Sequence, residues 1–293
     1  TVQSIDGGAA TVSGNAITSA ATGNAVSSAI ATGQNGATFS ATAALANQQS
    51  NFGGGVSAVT APSIIGAATG LENGTTKDST VAVEQNRAAA SAYGNSATQS
   101  LSLAANALPL GAGATVLSGG RTPDGNVSAS GAATITSLQS NYASPVSATL
   151  GGSYVGAYVD SRGTGGDTIT GSTVSASKNT QEAVGLANSA SNTLSLAGTS
   201  IGSGAGIANI QVVDAASPVN TVLGGSAAAV YAGTHITDTS LSLSDNLQRS
   251  IAYGNSTGNT LTVAANGATV PTSVAPASTL SSTPSLGGTV TAA

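Results

Sequence analysis

The sequence predicts an all-β chain, a repetitive β-solenoid-like fold or cross-strand stacked sheets that alternates two motif types. Three observations carry this. One frame recurs four times without gaps. Residues inside it alternate with period two, the mark of a half-buried strand. Charged residues make up only 6% of the 293, against about 25% in an ordinary soluble domain.

The first motif is plainest in "AYGNSATQSLSLAAN" at 92–106, which returns as "AYGNSTGNTLTVAAN" at 252–266. Its frame sets two asparagines nine apart, then two aliphatics one residue apart. Asn86, Asn95, Leu101 and Leu103 fit it, as do Asn179, Asn188, Leu194 and Leu196, and Asn246, Asn255, Leu261 and Val263. A fainter copy has Asn15 and Asn24, followed by Ile30 and Thr32. An alternating pair precedes the first asparagine: Val81 and Val83, Val174 and Ala176, Leu241 and Leu243. The copies span about 10–35, 81–106, 174–199 and 241–266, within a single repetitive β domain over 1–293.

A second motif fills the intervals. "QSNFGGGVSA" at 49–58 matches "QSNYASPVSA" at 139–148, and "SPVSATLGGS" at 144–153 matches "SPVNTVLGGS" at 217–226. "TPSLGGTV" at 283–290 echoes it. Repeats of this kind are supersecondary units that bury their apolar faces by stacking. Between the units, "GLENGTTKD" at 70–78, "GGRTPDG" at 119–125 and "DSRGTGGDT" at 160–168 read as turns or excursions.

Strand is favoured over helix because Ser, Thr, Val and Gly are poor helix formers. "NRAAASAYGN" at 86–95 could form a short helix ending at Gly94, but Val184 and Ile251 at the matching places suit an extended chain. Gly94-Asn95 and Gly254-Asn255 read as turn dipeptides, since both residue types tolerate positive φ. The bend is then a hairpin or an arc joining two sheets, and the arc is favoured because it lets copies stack in register. Leu101 and Leu103 share one face, Ser100 and Ser102 the other.

In a stack, equivalent positions lie about 4.8 Å apart. Asparagine meets asparagine, aliphatic meets aliphatic, and Tyr93 meets Leu186 or Tyr253. Any one asparagine is as well read as a solvated turn residue, but four registered pairs favour stacking. Charges would repel in such columns, which explains why they gather in linkers and beside Asn86, Asn179 and Asn246. Tyr154 and Tyr158 alternate with Val155 and Val159 and share a face, against either a neighbouring subunit or an ordinary core.

Six basic residues against eleven acidic ones exclude a counterion-releasing nucleic-acid binder and a polybasic membrane surface segment. There is no apolar run of about 18 residues, so no membrane insertion is expected. With no Cys and one His, no zinc-ligand spacing exists. "GTGGDT" at 163–168 lacks the nonapeptide period of a calcium-binding β-roll, and "FGGGVSA" at 52–58 has no lysine to make a phosphate loop. His235 with Asp238 three residues on does not make a triad. The acceptor patterns at Asn73, Asn126 and Asn255 follow from composition. No catalytic residue, metal ligand or cofactor is assigned, and the chain is not read as an enzyme.

"GNSATQ" resembles the repeats of curli-type bacterial amyloid subunits. The longer frame is similar to repeat-rich alphaproteobacterial surface proteins of the holdfast-anchor kind. The resemblance covers the four first-motif blocks. The short regular curli period is absent, and Asn192 and Asn259 stand where Gln99 does. It implies surface attachment, biofilm matrix or fibre formation, and it transfers no functional residue.

A chain that opens at Thr1 and holds no Met reads as a mature secreted product. Its terminal segments, "TVQSIDGG" and "SLGGTVTAA", carry few of the charges or prolines that guard strand edges. The expected function is therefore a structural subunit of an extracellular bacterial surface fibre or biofilm filament. It would self-assemble through strand edges, with other surface or matrix components as further partners. A monomeric β-solenoid adhesin presenting loops such as 119–125 and 160–168 to a ligand, and a trimeric phage fibre protein, are the alternatives.

Overall fold

The computed structural model describes residues 1, 3–38, 42–70, 74–108, 114–118, 126–130, 133–159, 169–201, 205–233, 235–265, 279–286 and 290–292. Its strands wind into four successive coils, each one first motif followed by one second motif. Corresponding strands pair in parallel and in register, giving six sheets that run along the stack.

In chain order around a coil, sheet 1 holds Ile5–Asp6, Thr76–Lys77, Ile169–Thr170 and Ile236–Thr237. Sheet 2 holds Ala9–Ser13, Thr80–Glu84, Thr173–Ser177 and Ser240–Ser244. Sheet 3 holds the long strands Ala16–Thr38, Arg87–Leu108, Thr180–Gly198 and Leu247–Ala265. Sheet 4 holds Ala43–Phe52, Ala133–Tyr142, Ala205–Val213 and Thr279–Leu286, and sheet 5 holds Val56–Thr60, Val146–Gly151, Val219–Gly224 and Val290–Ala292. Sheet 6 holds Ile64–Thr69, Tyr154–Val159 and Ala227–Ala232.

Sheets 4 and 5 pack across the two halves of sheet 3, and sheet 6 packs across sheet 2. The coil is therefore flattened, with two walls facing each other. Period-two alternation decides which side chains enter. Val81 and Val83 point inward against Val155, Ala157 and Val159, while Leu101 and Leu103 face Ile135. Ser100 and Ser102 lie on the half-buried outer face. The interior holds two apolar compartments, one beside the first half of sheet 3 and one beside the second half. Small inward residues such as Ala88, Ala90 and Ala92 let the walls approach closely.

Gly94-Asn95 forms no hairpin and no left-handed turn, but the pairing skips Gly94 and the buried alternation changes phase there, from Ala88, Ala90 and Ala92 to Asn95, Ala97, Gln99 and Leu101. Arg87–Leu108 runs as one strand through both residues, and neither has positive φ. The glycine answers a close approach instead: a Cβ on Gly94 would collide with the carbonyl of Ala187 in the next coil. Leu247–Ala265 is likewise one strand through Gly254-Asn255, with the pairing register skipping Gly254. The same strands settle 86–95 as extended chain, not helix.

The true corners lie elsewhere. Gly14, Gln85, Lys178 and Asp245 each close the sheet 2 strand with φ of 67°, 57°, 55° and 54°. Gly7, Asp78, Gly171 and Asp238 do the same after sheet 1. Of the expected linkers, 71–73, 119–125 and 160–168 fall outside the described residues, whereas Thr76–Lys77 belongs to sheet 1.

One element breaks the coil pattern. Ala114–Ser118 and Asn126–Ser130 form an antiparallel hairpin inserted before the second coil's sheet 4 strand. It lies over the outside of sheet 4, where Ala129 packs with Leu138, Ala208 and Ile210. This is why Ala133–Tyr142 is buried on both faces.

Candidate assembly surface: amide columns and open coil ends

Each asparagine of the repeated frame stands in a column. Asn15 donates its backbone N–H (3.0 Å) and its side-chain Nδ2 (3.1 Å) to Asn86 Oδ1. Asn86 does the same to Asn179, at 3.0 and 3.1 Å, and Asn179 to Asn246, at 3.0 and 2.9 Å. The second Nδ2 hydrogen reaches a carbonyl of the preceding coil: Val12 from Asn86, Val83 from Asn179 and Ala176 from Asn246. In the middle coils each amide therefore makes two donations and accepts twice, which saturates it. The left-handed corner residue just before each asparagine aims it along the stack.

The second column, Asn24, Asn95, Asn188 and Asn255, lies mid-strand in sheet 3. Axial Nδ2 to Oδ1 bonds link its members at 2.9, 2.8 and 2.8 Å. The other hydrogen crosses the interior to sheet 4, from Asn24 to Ser50 O, from Asn95 to Ser140 O and from Asn188 to Val212 O. Sheet 4 answers with glutamines. Gln139 and Gln211 each donate to the glutamine of the coil before at 2.7 Å, and Gln49, Gln139 and Gln211 reach back to Ser96 O, Ser189 O and Ser256 O. This reciprocal amide layer separates the two apolar compartments and fixes the register of the walls.

The aliphatic positions follow the same order. Ile30, Leu101, Leu194 and Leu261 form one column, and Thr32, Leu103, Leu196 and Val263 the next. Leu101, Leu103, Leu194 and Leu196 are fully buried. Tyr93, Leu186 and Tyr253 share a column. Where Asn192 donates to Asn259 Oδ1 at 2.8 Å, Gln99 of the coil before has neither amide atom bonded. The longer side chain misses the ladder that asparagine makes.

The sequence reading missed the glutamine column and a charged clamp. Glu182, its side chain 5% exposed, sits between Arg87 of the second coil and Arg249 of the fourth. Arg249 donates through Nε at 2.7 Å, and Arg87 through Nε at 3.0 Å. Burial pushes the Glu182 carboxyl up, but the hydrogen bonds and charges of the two arginines together outweigh it and hold it below the usual carboxylate range. A folded-state pKa below the unfolded value of about 4.3 adds stability above that pH and loses it on further acidification. Acid titration followed by circular dichroism is expected to show the stack weakening below about pH 4.5, with Glu182→Gln flattening that limb. Identical limbs for the two proteins would remove the clamp from the explanation.

On the outer face of sheet 6, Tyr158 stacks on Tyr231 with centroids 4.7 Å apart and planes 9° apart. Tyr154, whose phenol burial pushes up, lies on the same face. The shared face expected of Tyr154 and Tyr158 is thus the outer one. His235 is an exposed corner residue with φ of 66°. Among the described residues, no group of three or more His, Asp or Glu is placed to hold a metal.

Among the described residues, no strand pairs over the outermost strands of sheets 2 and 3 at either end of the stack. Leu241 and Leu243 in the fourth coil are 46% and 55% exposed, while Val81, Val83, Val174 and Ala176 in the same columns are at 0%. Tyr253 and Leu247 are also exposed there. At the other end Ala10, Val12, Ile17 and Ile30 are only half-buried. No protein-family model, curated protein or solved structure matches the chain.

Proposed function

We propose that this chain is a structural subunit of an extracellular bacterial surface fibre or adhesion filament, a secreted homopolymer grown through the open edges of its coil stack. One observation carries the reading: columns that form the core in the inner coils reach solvent in the outermost one, as at Leu241 and Leu243. An apolar end of this kind, with unpaired backbone donors and acceptors, is a template for another strand layer. The edge is lightly guarded. Arg249, Asp238, Asp245 and Pro284 are its charges and its proline among the described residues, and sheet 2 carries none of them. The amide columns suit a fibre because they add bonds with each layer and no repulsion.

Purified chain, concentrated and examined by negative-stain microscopy and fibre diffraction, is expected to form filaments with a meridional reflection near about 4.8 Å. An elongated monomer under all conditions would sink the proposal.

The outer face of sheet 6 favours a second reading, a monomeric solenoid adhesin. Ile64, Gly66, Ala68, Tyr154, Gly156 and Tyr158 line a mostly apolar concavity of about 440 Å³ there. Monomers in the same experiment would turn attention to that groove.

A further inference from the structure

We infer that copies join head to tail, with the fourth coil of one seated in register on the first coil of the next. The inference rests on the fibre reading above and specifies its junction. The amide columns have a direction. Every Asn15-type bond runs from an earlier coil to Oδ1 of a later one. Backbone bonds run the other way, from Arg87 N to Asn15 O, Thr180 N to Asn86 O and Leu247 N to Asn179 O. Each end therefore presents a different half of the same set. The fourth coil offers the Asn246 backbone N–H and carbonyl. The first coil offers the exposed Asn15 Oδ1, to which no described residue donates, and the Ala16 N–H. Stacking the fourth coil on the first repeats the asparagine-column bonds and their flanking backbone bonds of the three internal junctions, with Asn255 falling over Asn24.

The side chains match in size as well. In that register Leu241 over Ala10, Leu243 over Val12 and Tyr253 over Thr22 set a large side chain against a smaller one, while Leu261 over Ile30 and Ile236 over Ile5 continue aliphatic columns. A tail-to-tail contact would instead reverse the strands, set Asn246 donors against donors, and press Leu241, Leu243 and Tyr253 against their own kind. The hydroxyl column of Ser79, Ser172 and Thr239 does not continue, because the first coil has Gly8 in that place.

Ser13 and Ser244 are the exposed end members of one column, and head-to-tail joining would bring them to about 4.8 Å across the junction. The chain has no cysteine, so Ser13→Cys and Ser244→Cys introduce the sole thiols. Both variants would be checked for native circular dichroism and for filaments, then oxidised separately and mixed. Disulfide-linked dimers in the mixture, at least tenfold above either variant alone, are the expected result. Equal linking within Ser244→Cys alone or within Ser13→Cys alone would overturn the polarity. Filaments with no linking in any sample would overturn this junction and leave the fibre reading standing. Absence of filaments from the unmodified protein would overturn both.

Discussion

Asn188→Asp is expected to lower the unfolding free energy by about 3–5 kcal/mol at neutral pH, the range for an uncompensated buried charge. Asn188 is fully buried in the third coil. It accepts from Asn95 Nδ2 at 2.8 Å and donates to Val212 O at 2.9 Å and Asn255 Oδ1 at 2.8 Å. Aspartate keeps the acceptor and loses both donors, so two oxygens then face a carboxylate with no cation beside it. The alternative is to take up a proton, which restores one of the two bonds. The folded-state pKa of the new group is therefore raised. The deficit is smallest below about pH 4 and grows as pH climbs through that raised value. Asn188→Ala removes the bonds without adding charge and is expected to cost about 2–3 kcal/mol, the desolvation of the partners left unmet. Urea midpoints at pH 4 and pH 7 separate the cases. An aspartate variant as stable as the parent at pH 7 would show that the amide column does not hold the walls together.

The same column shows how much of the architecture was legible. Asn95, Leu101 and Leu103 could be placed because the frame repeats without gaps and alternates by two, so strand type and stacking partners followed from spacing. The corners could not. Gly94-Asn95 carries the local chemistry of a turn, yet the next coil's carbonyl, not φ, demands glycine there. The left-handed corners fall to Gln85, Lys178 and Asp245, and only Gly14 in the first copy betrays the requirement. The corner after sheet 1 alternates Gly7, Asp78, Gly171 and Asp238, a signature visible once the columns are aligned. The glutamine column was hidden for a different reason. Gln49 and Gln139 begin matching strings, but the third copy has one extra residue between Gln211 and Pro218, and the frame slips. The open ends were expected from sparse guarding alone. Their apolar content follows from which columns reach the last coil, and that required the pairing of units into coils.

Gly156→Ala is expected to be strongly destabilising, costing about 3 kcal/mol, at the upper end for overpacking. The column in sheet 6 runs Gly66, Gly156, Ala229. A Cβ on Gly66 would lie 2.5 Å from the Gly156 carbonyl oxygen, and one on Gly156 would collide with the carbonyl of Ala229 and come within 3.0 Å of the Tyr154 hydroxyl. The backbone carbonyl is the obstacle that cannot yield. The Ala229 carbonyl is backbone within a paired strand, and the Tyr154 hydroxyl approaches that same oxygen at 3.4 Å. Alanine appears at position 229, in the outermost described strand of this sheet, where no further strand stands over it. The residue choice thus tracks the presence of a neighbouring coil and not φ, since neither Gly66 nor Gly156 is left-handed. Gly258→Ala makes the matched control. It lies in a strand with open space around its would-be Cβ, and removing glycine's conformational freedom there is expected to be neutral or to stabilise by about 0.5 kcal/mol. Thermal and urea unfolding of the two variants side by side decide the matter. Equal stability for both would mean that the sheet 6 strands can slide apart at no cost, and the tight axial packing argued for this stack would fail with it.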